Sequence, residues 1–290
     1  MAGARPPLFS IRDADVVRAE RTILHVDRFD LAEGEHVALL GPNGAGKSTF
    51  IQLLTREVFP LYRDEPPVRF RGRARPLLSD IHRALGIVSS TMHEQVRVHL
   101  PVADIVCGGL FGTLGVPGHV HPTGAERAAA ADACGRLGIA NLLDRDIMTL
   151  SSGQARRVLV ARELVRDPQV LIFDEPCTGL DPQGMYQLRE TMMRLAGEGR
   201  SIVLVTHYPE DIIPAIERVL LIKDARVFAD GPKRSMLTDA VMSDLFDVPL
   251  AVSREDGWYA LRGRYRPGCP GLSPDGTGSG GTGASTAHRR

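Results

Sequence analysis

The sequence predicts an α/β fold in which a mostly parallel sheet is covered by helices on both faces. Short runs of Val, Ile and Leu without polar alternation are typical of strands that are buried on both sides. Helical patterns separate these runs, which favours a doubly wound core. A middle region, about 91–150, has no convincing buried strand, so we expect a helical subdomain inserted between core segments at about 1–90 and 151–265. The four runs are His36–Leu40, Val170–Phe173, Ile202–Val205 and Val219–Ile222.

Local patterns predict further elements. Thr123 and the glutamate three residues later have the spacing of a capping box, which predicts the start of an Ala-rich helix over Glu126–Leu137. The stretch Leu220–Gly231 predicts a hairpin, and Met236–Phe246 predicts another helix. Gly, Pro, Ser and Thr dominate the C-terminal end, so 266–290 is predicted to be a disordered tail.

The composition is that of a globular protein and excludes collagen-like, wholly disordered and disulfide-scaffold chains. The 290 residues include 35 basic and 35 acidic side chains, and 43 % are hydrophobic. The zero formal net charge and the pI near 7.1 give no global field for wrapping nucleic acid. We therefore expect no nucleic-acid partner.

The location of the protein is predicted from its hydropathy and its cysteines. No apolar run approaches the roughly 20 residues needed to cross a bilayer, and the N-terminus lacks the apolar segment of a secretory signal. The four cysteines are scattered without a CxxC pair, which favours reduced thiols over a disulfide or a zinc site. We expect a cytoplasmic protein that reaches a membrane only through a partner.

A glycine-rich segment between an apolar strand and a predicted helix fits G-x-x-x-x-G-K-[ST], the pattern of a phosphate-binding loop. Its glycines let successive N–H groups point at an anion, and the following helix adds its positive end. Lys47 holds the phosphate-facing position in a chain with three lysines among 35 basic residues, and lysine is the compact charge such a loop needs. A glycine-rich turn that happens to carry a lysine is the alternative. The segment comprises Gly41, Pro42, Asn43, Gly44, Ala45, Gly46, Lys47, Ser48 and Thr49.

Two carboxylates follow the buried strand Val170–Phe173. In open α/β sheets, ligands bind beyond the carboxyl ends of the strands. Asp174 therefore suits Mg²⁺ binding together with the Ser48 hydroxyl, and Glu175 suits orienting or deprotonating an attacking water. The alternative is a solvated acidic loop that caps a helix.

Five motifs follow one another in the chain. They are GPNGAGKST, LSSGQ at Leu150–Gln154, LIFDEP, TGLD at Thr178–Asp181, and the dipeptide Thr206–His207. In this order they resemble the Walker A loop, signature, Walker B strand, D-loop and switch histidine of the nucleotide-binding subunit of an ABC transporter. The resemblance runs from about Leu8 to Arg264. Within that family, the chain looks like the ATPases of metal, siderophore or oxyanion uptake systems.

The resemblance implies a P-loop NTPase core with a mostly parallel sheet, an antiparallel β subdomain and an inserted helical subdomain. It implies that ATP and Mg²⁺ bind, that Lys47, Glu175 and His207 are catalytic, and that Ser48 and Asp174 hold the metal. It also implies a head-to-tail dimer, with an identical chain or a paralogous ATPase, in which each ATP lies between one Walker A loop and the opposite signature. The signature residues are Ser151, Ser152, Gly153 and Gln154, and the D-loop residue is Asp181.

The same resemblance implies transmembrane permease subunits on separate chains, with the ATPase peripheral on the inner face of the cell membrane.

Three positions depart from the family pattern. Ser90 stands in place of the Q-loop glutamine, and its hydroxyl can still contact a metal or water. Ser152 replaces a usual glycine of the signature. The segment Val16–Thr22 lacks the aromatic residue that usually stacks on adenine, and Arg18 is an alternative stacking group.

The leading function is the ATP-binding and ATP-hydrolysing subunit that energises an ABC transporter by ATP-driven dimer closure. The alternative is an ABC-type ATPase without a transmembrane partner, acting on ribosomes, DNA or an assembly scaffold. A nucleotide-binding switch without turnover is disfavoured, because Glu175 and His207 are both present.

Overall fold

The structure is a computed structural model that describes residues 7–90 and 96–265. The predicted tail, 266–290, lies outside the described residues. In the described part, no helix combines the length and the apolar character that crossing a membrane requires.

Nine of the described strands form one mixed sheet in the order β4-β1-β2-β9-β8-β3-β7-β6-β5, and two more form a separate hairpin. The strands are β1 (Phe9–Arg18), β2 (Arg21–Leu31), β3 (His36–Leu40), β4 (Val68–Phe70), β5 (Leu85–Ser89), β6 (Val170–Asp174), β7 (Ser201–Thr206), β8 (Arg218–Lys223), β9 (Arg226–Pro232), β10 (Leu250–Glu255) and β11 (Trp258–Gly263).

The α-helices of the described ranges are α1 (Lys47–Thr55), α2 (Leu78–Ala84), α3 (Val102–Gly108), α4 (Gly124–Arg136), α5 (Ser152–Leu164), α6 (Pro182–Gly197), α7 (Lys233–Met236) and α8 (Asp239–Phe246). Short 3₁₀ turns join several of them, and one of these, Pro209–Asp211, follows β7.

The predicted parallel core is confirmed. Strands β5, β6, β7, β3 and β8 are paired in parallel, and each of the four apolar runs lies in one of these strands. Alternate residues of β3 belong to two different hydrophobic clusters: Ala38 and Leu40 face one, and Val37 and Leu39 face the other. Because both faces are covered, the strands carry no polar alternation.

The register brings several loops to one edge of the sheet. Leu40 of β3 pairs with Thr206 of β7, and Asp174 of β6 lies between Val205 of β7 and Ser89 of β5. The segments that follow these four strands therefore begin side by side. These segments contain the glycine-rich loop, Glu175, His207 and Ser90.

An antiparallel part adjoins this core, as the fold prediction expected. Strands β1 and β2 pair along their whole lengths, β1 also pairs with β4, and β8 and β9 form the predicted hairpin. Helix α1 packs between the antiparallel strands and the core: Phe50 lies edge-to-face on Phe29 of β2, with ring centroids 5.0 Å apart. Burying one such phenyl ring contributes about 1.5–3 kcal/mol.

The middle of the chain is helical where it is described. Helix α4 begins with the predicted capping box, because the Thr123 hydroxyl accepts from the Glu126 N–H and the Glu126 carboxylate accepts from the Thr123 N–H. The helix spans Gly124–Arg136, slightly earlier than the predicted Glu126–Leu137. Helices α3, α4 and α5 pack together and bury a shared set of apolar side chains. The boundaries of the helical subdomain remain a prediction.

The predicted single helix Met236–Phe246 is wrong in its first turn. The structure has α7 ending at Met236, and α8 begins anew at Asp239. Thr238 lies between them in an extended conformation, and its hydroxyl accepts from the N–H of Val241 at 3.3 Å. Because the Thr238 side chain caps a new helix start, the chain forms two helices here instead of one.

Candidate functional site

The glycine-rich loop is shaped by close backbone contacts. Gly44 and Gly46 have φ of 77° and 109°, which favour glycine because other residues meet steric strain there. A Cβ on Gly41 would lie 2.0 Å from the carbonyl oxygen of Ile222, so a side chain does not fit where the loop leaves β3. Helix α1 begins directly after Gly46, whose lack of a side chain leaves the first N–H groups of the helix without a cap.

Lys47 is buried although it carries a charge. Its side chain folds back on the loop, and Nζ donates to the carbonyl oxygens of Gly41 at 2.8 Å and Pro42 at 3.0 Å. Burial lowers the pKa of Lys47, while the carboxylates of Glu175 and Asp174 act in the opposite direction. The ammonium is therefore held at the loop by neutral acceptors and lies in the field of two acids.

The acidic strand end lies beside this lysine. Burial raises the pKa of Asp174 above its usual range, the nearby Glu175 carboxylate adds to the rise, and Lys47 opposes it. Glu175 has a φ of 47°, and its N–H donates to the carbonyl of Val205 at 2.8 Å. The strand thus stops at Asp174, and the next residue turns towards the neighbouring strand.

Glu175 meets His207 across adjacent strand ends. The Glu175 Oε1 atom lies 3.1 Å from Nδ1 of His207, and both side chains are partly exposed. The Tyr208 ring packs on the imidazole, with ring centroids 3.9 Å apart. The structure therefore brings together Lys47, Asp174, Glu175 and His207, four side chains that were singled out from the sequence.

Oxygen groups suited to Mg²⁺ lie at the same edge. Asp174 supplies a half-buried carboxylate, Ser48 is in the first turn of α1, and half-buried Ser90 follows β5 next to β6. Mg²⁺ prefers oxygen ligands and keeps several waters, so few protein oxygens suffice. Because burial raises the pKa of Asp174, a bound cation would stabilise its ionised form. The donor set fits the metal that the sequence predicts.

The signature residues lie at a second helix start. Ser151 caps α5: its Oγ accepts from the Gln154 N–H at 3.3 Å, and the Gln154 side chain accepts from the Ser151 N–H at 3.1 Å. Gly153 packs on Gly184 in α6, where an added Cβ would lie 3.0 Å from the Gly184 Cα. Asp181 caps α6 and accepts from the Gly184 N–H at 2.7 Å.

The two helix starts remain separate in one chain. Within residues 7–90 and 96–265, no hydrogen bond or ion pair joins the signature Ser151–Gln154 to the loop Gly41–Thr49. The structure thus brings together the Walker A and Walker B residues and His207, but not the signature. The ligand contacts of all these residues remain predictions.

Sequence reasoning missed a buried polar cluster behind His207. It contains Thr206, Asp211, Arg189 of α6 and Cys177. Its members lie far apart in the chain and match no motif. Asp211, four residues after His207, is the member of this cluster that the sequence could have indicated.

Sequence reasoning also missed a carboxylate–histidine cluster on β1 and β2. Asp13, Asp15 and His25 could group around a cation, but Arg63 already contacts both carboxylates, at 3.0 and 2.7 Å. The carboxylates of Asp27 and then Asp15 accept hydrogen bonds from the His25 ring and raise the pKa of His25. The guanidinium and the imidazole therefore supply the positive charge that these acids need.

A parallel sheet whose strand ends present a glycine-rich loop, a lysine and an acidic pair defines a P-loop NTPase fold. The chain belongs to the ABC transporter family, whose sequence model matches residues 24–178. It is 31 % identical over 247 residues to the uncharacterized ABC transporter ATP-binding protein YlmA of Bacillus subtilis (strain 168), covering 84 % of this chain and 93 % of that relative.

Two solved structures are similar. One is cbiO1 from Clostridium perfringens, part of the ABC transporter complex cbiONQ, with a TM-score of 0.69 and 26 % identity over 82 % of this chain and 94 % of that one. The other is a chain of a metal-chelate type ABC transporter in an inward-facing conformation. It has a TM-score of 0.73 and 22 % identity, covers 90 % of this chain and 98 % of that one, and shows the fold.

These similarities confirm the family and the leading function. The chain is an ATP-binding subunit that energises an ABC transporter, and its family hydrolyses ATP in general. The alternative of an ABC-type ATPase without a transmembrane partner is not favoured.

Proposed function

We propose that two such chains, identical or paralogous, close head-to-tail over two ATP molecules and hydrolyse them with Mg²⁺. The observation that carries this proposal is the contact of 3.1 Å between Glu175 and His207, next to a phosphate loop with a buried lysine. A base and an imidazole at adjacent strand ends can both act on the γ-phosphate side of a nucleotide. This arrangement supports turnover as well as binding.

The phosphates bind to the loop Gly41–Thr49 and to the start of α1. The N–H groups at that start have no capping side chain, so an anion can accept from them. Lys47 leaves the carbonyls of Gly41 and Pro42 and turns its ammonium to the β- and γ-phosphates. The gain is that the ammonium then pairs with an ionised acceptor, whereas the carbonyl oxygens that it leaves are neutral.

The metal site is formed by the Ser48 hydroxyl and Asp174, and Ser90 contributes a contact through its hydroxyl. When bound, Mg²⁺ supplies charge neutralisation between the β- and γ-phosphate oxygens. Asp174 gains most from that charge, because burial disfavours its ionised form in the free protein and raises its pKa. Binding of a cation beside Asp174 would favour its ionised form and so oppose the effect of burial.

Hydrolysis depends on positioning. Glu175 orients a water molecule for in-line attack and accepts its proton at a carboxylate oxygen. In the imidazolium form both ring nitrogens carry a proton, so His207 can donate from Nδ1 to Glu175 and from Nε2 to an oxygen of the γ-phosphate. The protein thus provides a base on one side of the attacking water and a hydrogen-bond donor for the phosphoryl group.

The signature acts on the ATP of the partner subunit. The Ser151 hydroxyl accepts from the Gln154 N–H but keeps its own proton, which it can donate to a phosphate oxygen. The N–H groups of Ser152 and Gly153 point the same way, because they belong to the first turn of α5. Asp181 fixes the start of α6 against Gly153 through its cap, so it shapes the surface that meets the partner.

The partners are transmembrane permease subunits on separate chains, and the protein lies peripherally on the inner, cytoplasmic face of the membrane. The support is the likeness to cbiO1, which is part of a transporter complex. ATP is abundant on that side, and dimer closure is the movement that such subunits can transmit.

Pull-down from detergent-solubilised membranes of cells that produce the tagged full-length chain tests the partner. We expect integral membrane proteins to be recovered, and phosphate release by the purified chain to require Mg²⁺ and stop with EDTA. Mg²⁺-independent release would contradict the metal site. Recovery of ribosomes or DNA with no membrane protein would contradict the transport role.

A further inference from the structure

We propose that Thr206 and Asp211 are positioning residues that set the orientation of His207 towards Glu175. The proposal rests on the catalytic role given to His207 above. A chain of buried polar contacts runs behind the histidine and reaches the loop that carries Glu175. Among the described residues, no side-chain hydrogen bond or ion pair joins its members to the phosphate loop or to the signature, and the proposed ligand contacts do not use them.

The first part of this network closes the turn around His207. Thr206 Oγ1 donates to Asp211 Oδ2 at 3.0 Å and accepts from the Tyr208 N–H at 3.0 Å. The Asp211 N–H donates to the Tyr208 carbonyl at 3.1 Å. His207 lies between Thr206, which carries this hydroxyl, and Tyr208, which donates to it, so the backbone direction of His207 is fixed at the end of β7.

The second part anchors Asp211 in the core. Arg189 of α6 donates to Asp211 Oδ1 at 2.8 Å, and the Asp211 side chain is only 6 % exposed. The Arg189 guanidinium also lies over the Trp258 ring of β11, 5.7 Å from its centroid. A buried, charge-assisted bond of this kind is geometrically restrictive. The turn is therefore attached to α6 and to the C-terminal hairpin.

The third part reaches the loop of Glu175. Cys177, two residues after Glu175, is buried, and its thiol lies in the field of both Asp211 and Arg189. Burial, and then the Asp211 carboxylate, raise the pKa of its thiol to about 12, so the thiol stays protonated and can donate. The Asp211–Arg189 pair thus lies against both the turn that carries His207 and the loop that carries Glu175. The separation of Glu175 and His207 therefore depends on this pair.

Thr206→Val tests the proposal, because it removes the bridging hydroxyl but keeps the shape and leaves the Arg189–Asp211 pair intact. We expect kcat for ATP hydrolysis to fall about tenfold, because small displacements of a catalytic group are costly, and KM for ATP to change less than about twofold. Thr206→Ser, which keeps the hydroxyl, should restore kcat to within about twofold of the wild type. Thr191→Val is the matched control, since Thr191 is equally buried and its hydroxyl bonds the Gln187 carbonyl within α6.

A double-mutant cycle with His207→Ala separates positioning from a general structural effect. If Thr206 acts through His207, the double variant should be no slower than His207→Ala alone. Three results would each overturn the inference and leave the function of His207 in place. The first is a double variant in which the losses of kcat from the two single variants multiply. The others are equal losses of kcat in Thr206→Val and Thr191→Val, and an unchanged kcat in Thr206→Val. Unchanged turnover in His207→Ala would instead contradict the role of His207 in the proposed function, and the inference with it.

Discussion

The starts of α1 and α5 are built in opposite ways. Helix α1 begins after Gly46, which has a left-handed conformation and no side chain with which to cap the helix. Helix α5 begins with Ser151 in a complete capping box with Gln154. Since every helix leaves its first N–H groups without backbone partners, α5 satisfies part of this demand itself and α1 does not.

The charged groups near the two helix starts also differ. At α1, burial lowers the pKa of Lys47 and raises the pKa of Asp174, so both charged forms are disfavoured in the free protein. The first turn of α5 contains no acidic residue. The comparison supports the proposal that a ligand completes the α1 site, whereas the α5 start is already capped and adds contacts to the ATP of a partner.

Lys47→Ala removes the charge on which the α1 site depends, and it should have the largest effect. We expect ATP affinity to fall at least ~100-fold, because the phosphates lose a charge-assisted bond in a buried site. Isothermal titration with ATP measures it. Lys223→Ala is the control, since its ammonium is paired at 2.7 Å with Asp247, the residue directly after α8. Unchanged affinity in Lys47→Ala would refute the assignment of the loop.

Glu175→Gln keeps the α1 site able to bind but removes its base. We expect phosphate release to fall at least ~100-fold with ATP affinity retained, because a general base contributes factors of that size. ATP-loaded protein should then accumulate as a dimer, which analytical ultracentrifugation detects. Undiminished release would exclude the proposed role of Glu175. A strictly monomeric ATP-bound variant at high concentration would exclude closure over shared ATP.

Ser151→Ala addresses the other helix start, with a smaller expected effect. In the Glu175→Gln background it should weaken ATP-dependent dimerisation about tenfold, the loss of one hydrogen bond to a charged group. It should also lower the free energy of unfolding by about 1 kcal/mol, because the cap is lost. Sedimentation and chemical denaturation measure the two effects.

Thr123→Ala provides the matched control for this variant. Thr123 caps α4 with Glu126 in the same kind of box, and the proposed function gives it no ligand. It should lose similar stability and dimerise normally. Equal dimerisation defects in both variants would mean that the Ser151 hydroxyl acts through folding alone.

The sequence predicted those parts of the molecule that depend on neighbouring residues. The four apolar runs, the phosphate loop and the cap at Thr123 are local patterns, and the strands and this cap appear where expected. Strands β1 and β2 were not placed individually, because exposed Asp and Arg side chains interrupt their apolar residues. The Arg189–Asp211 contact joins residues 22 positions apart, which no local pattern reveals.

Asp174→Asn tests the contrast between the starts of α1 and α5 by its effect on protein stability. We expect this effect to be the smallest. The folded protein raises the pKa of Asp174, so ionisation favours the unfolded chain. The penalty is absent below the unfolded pKa of about 3.8 and is complete above the folded pKa. In nucleotide-free protein without Mg²⁺, Asp174→Asn should therefore match the wild type in acid and become more stable than it as pH rises.

Asp15→Asn should show the opposite sign. Its hydrogen bond with His25 lowers the pKa of Asp15, so the ionised form stabilises the fold above the unfolded pKa, and this stabilisation is lost as pH falls through the folded pKa. The variant should be less stable than the wild type at neutral pH. Thermal unfolding midpoints across pH measure both differences. If Asp174→Asn were destabilising at neutral pH, the carboxylate would already be satisfied within the chain, and the α1 site would not need a cation to complete it.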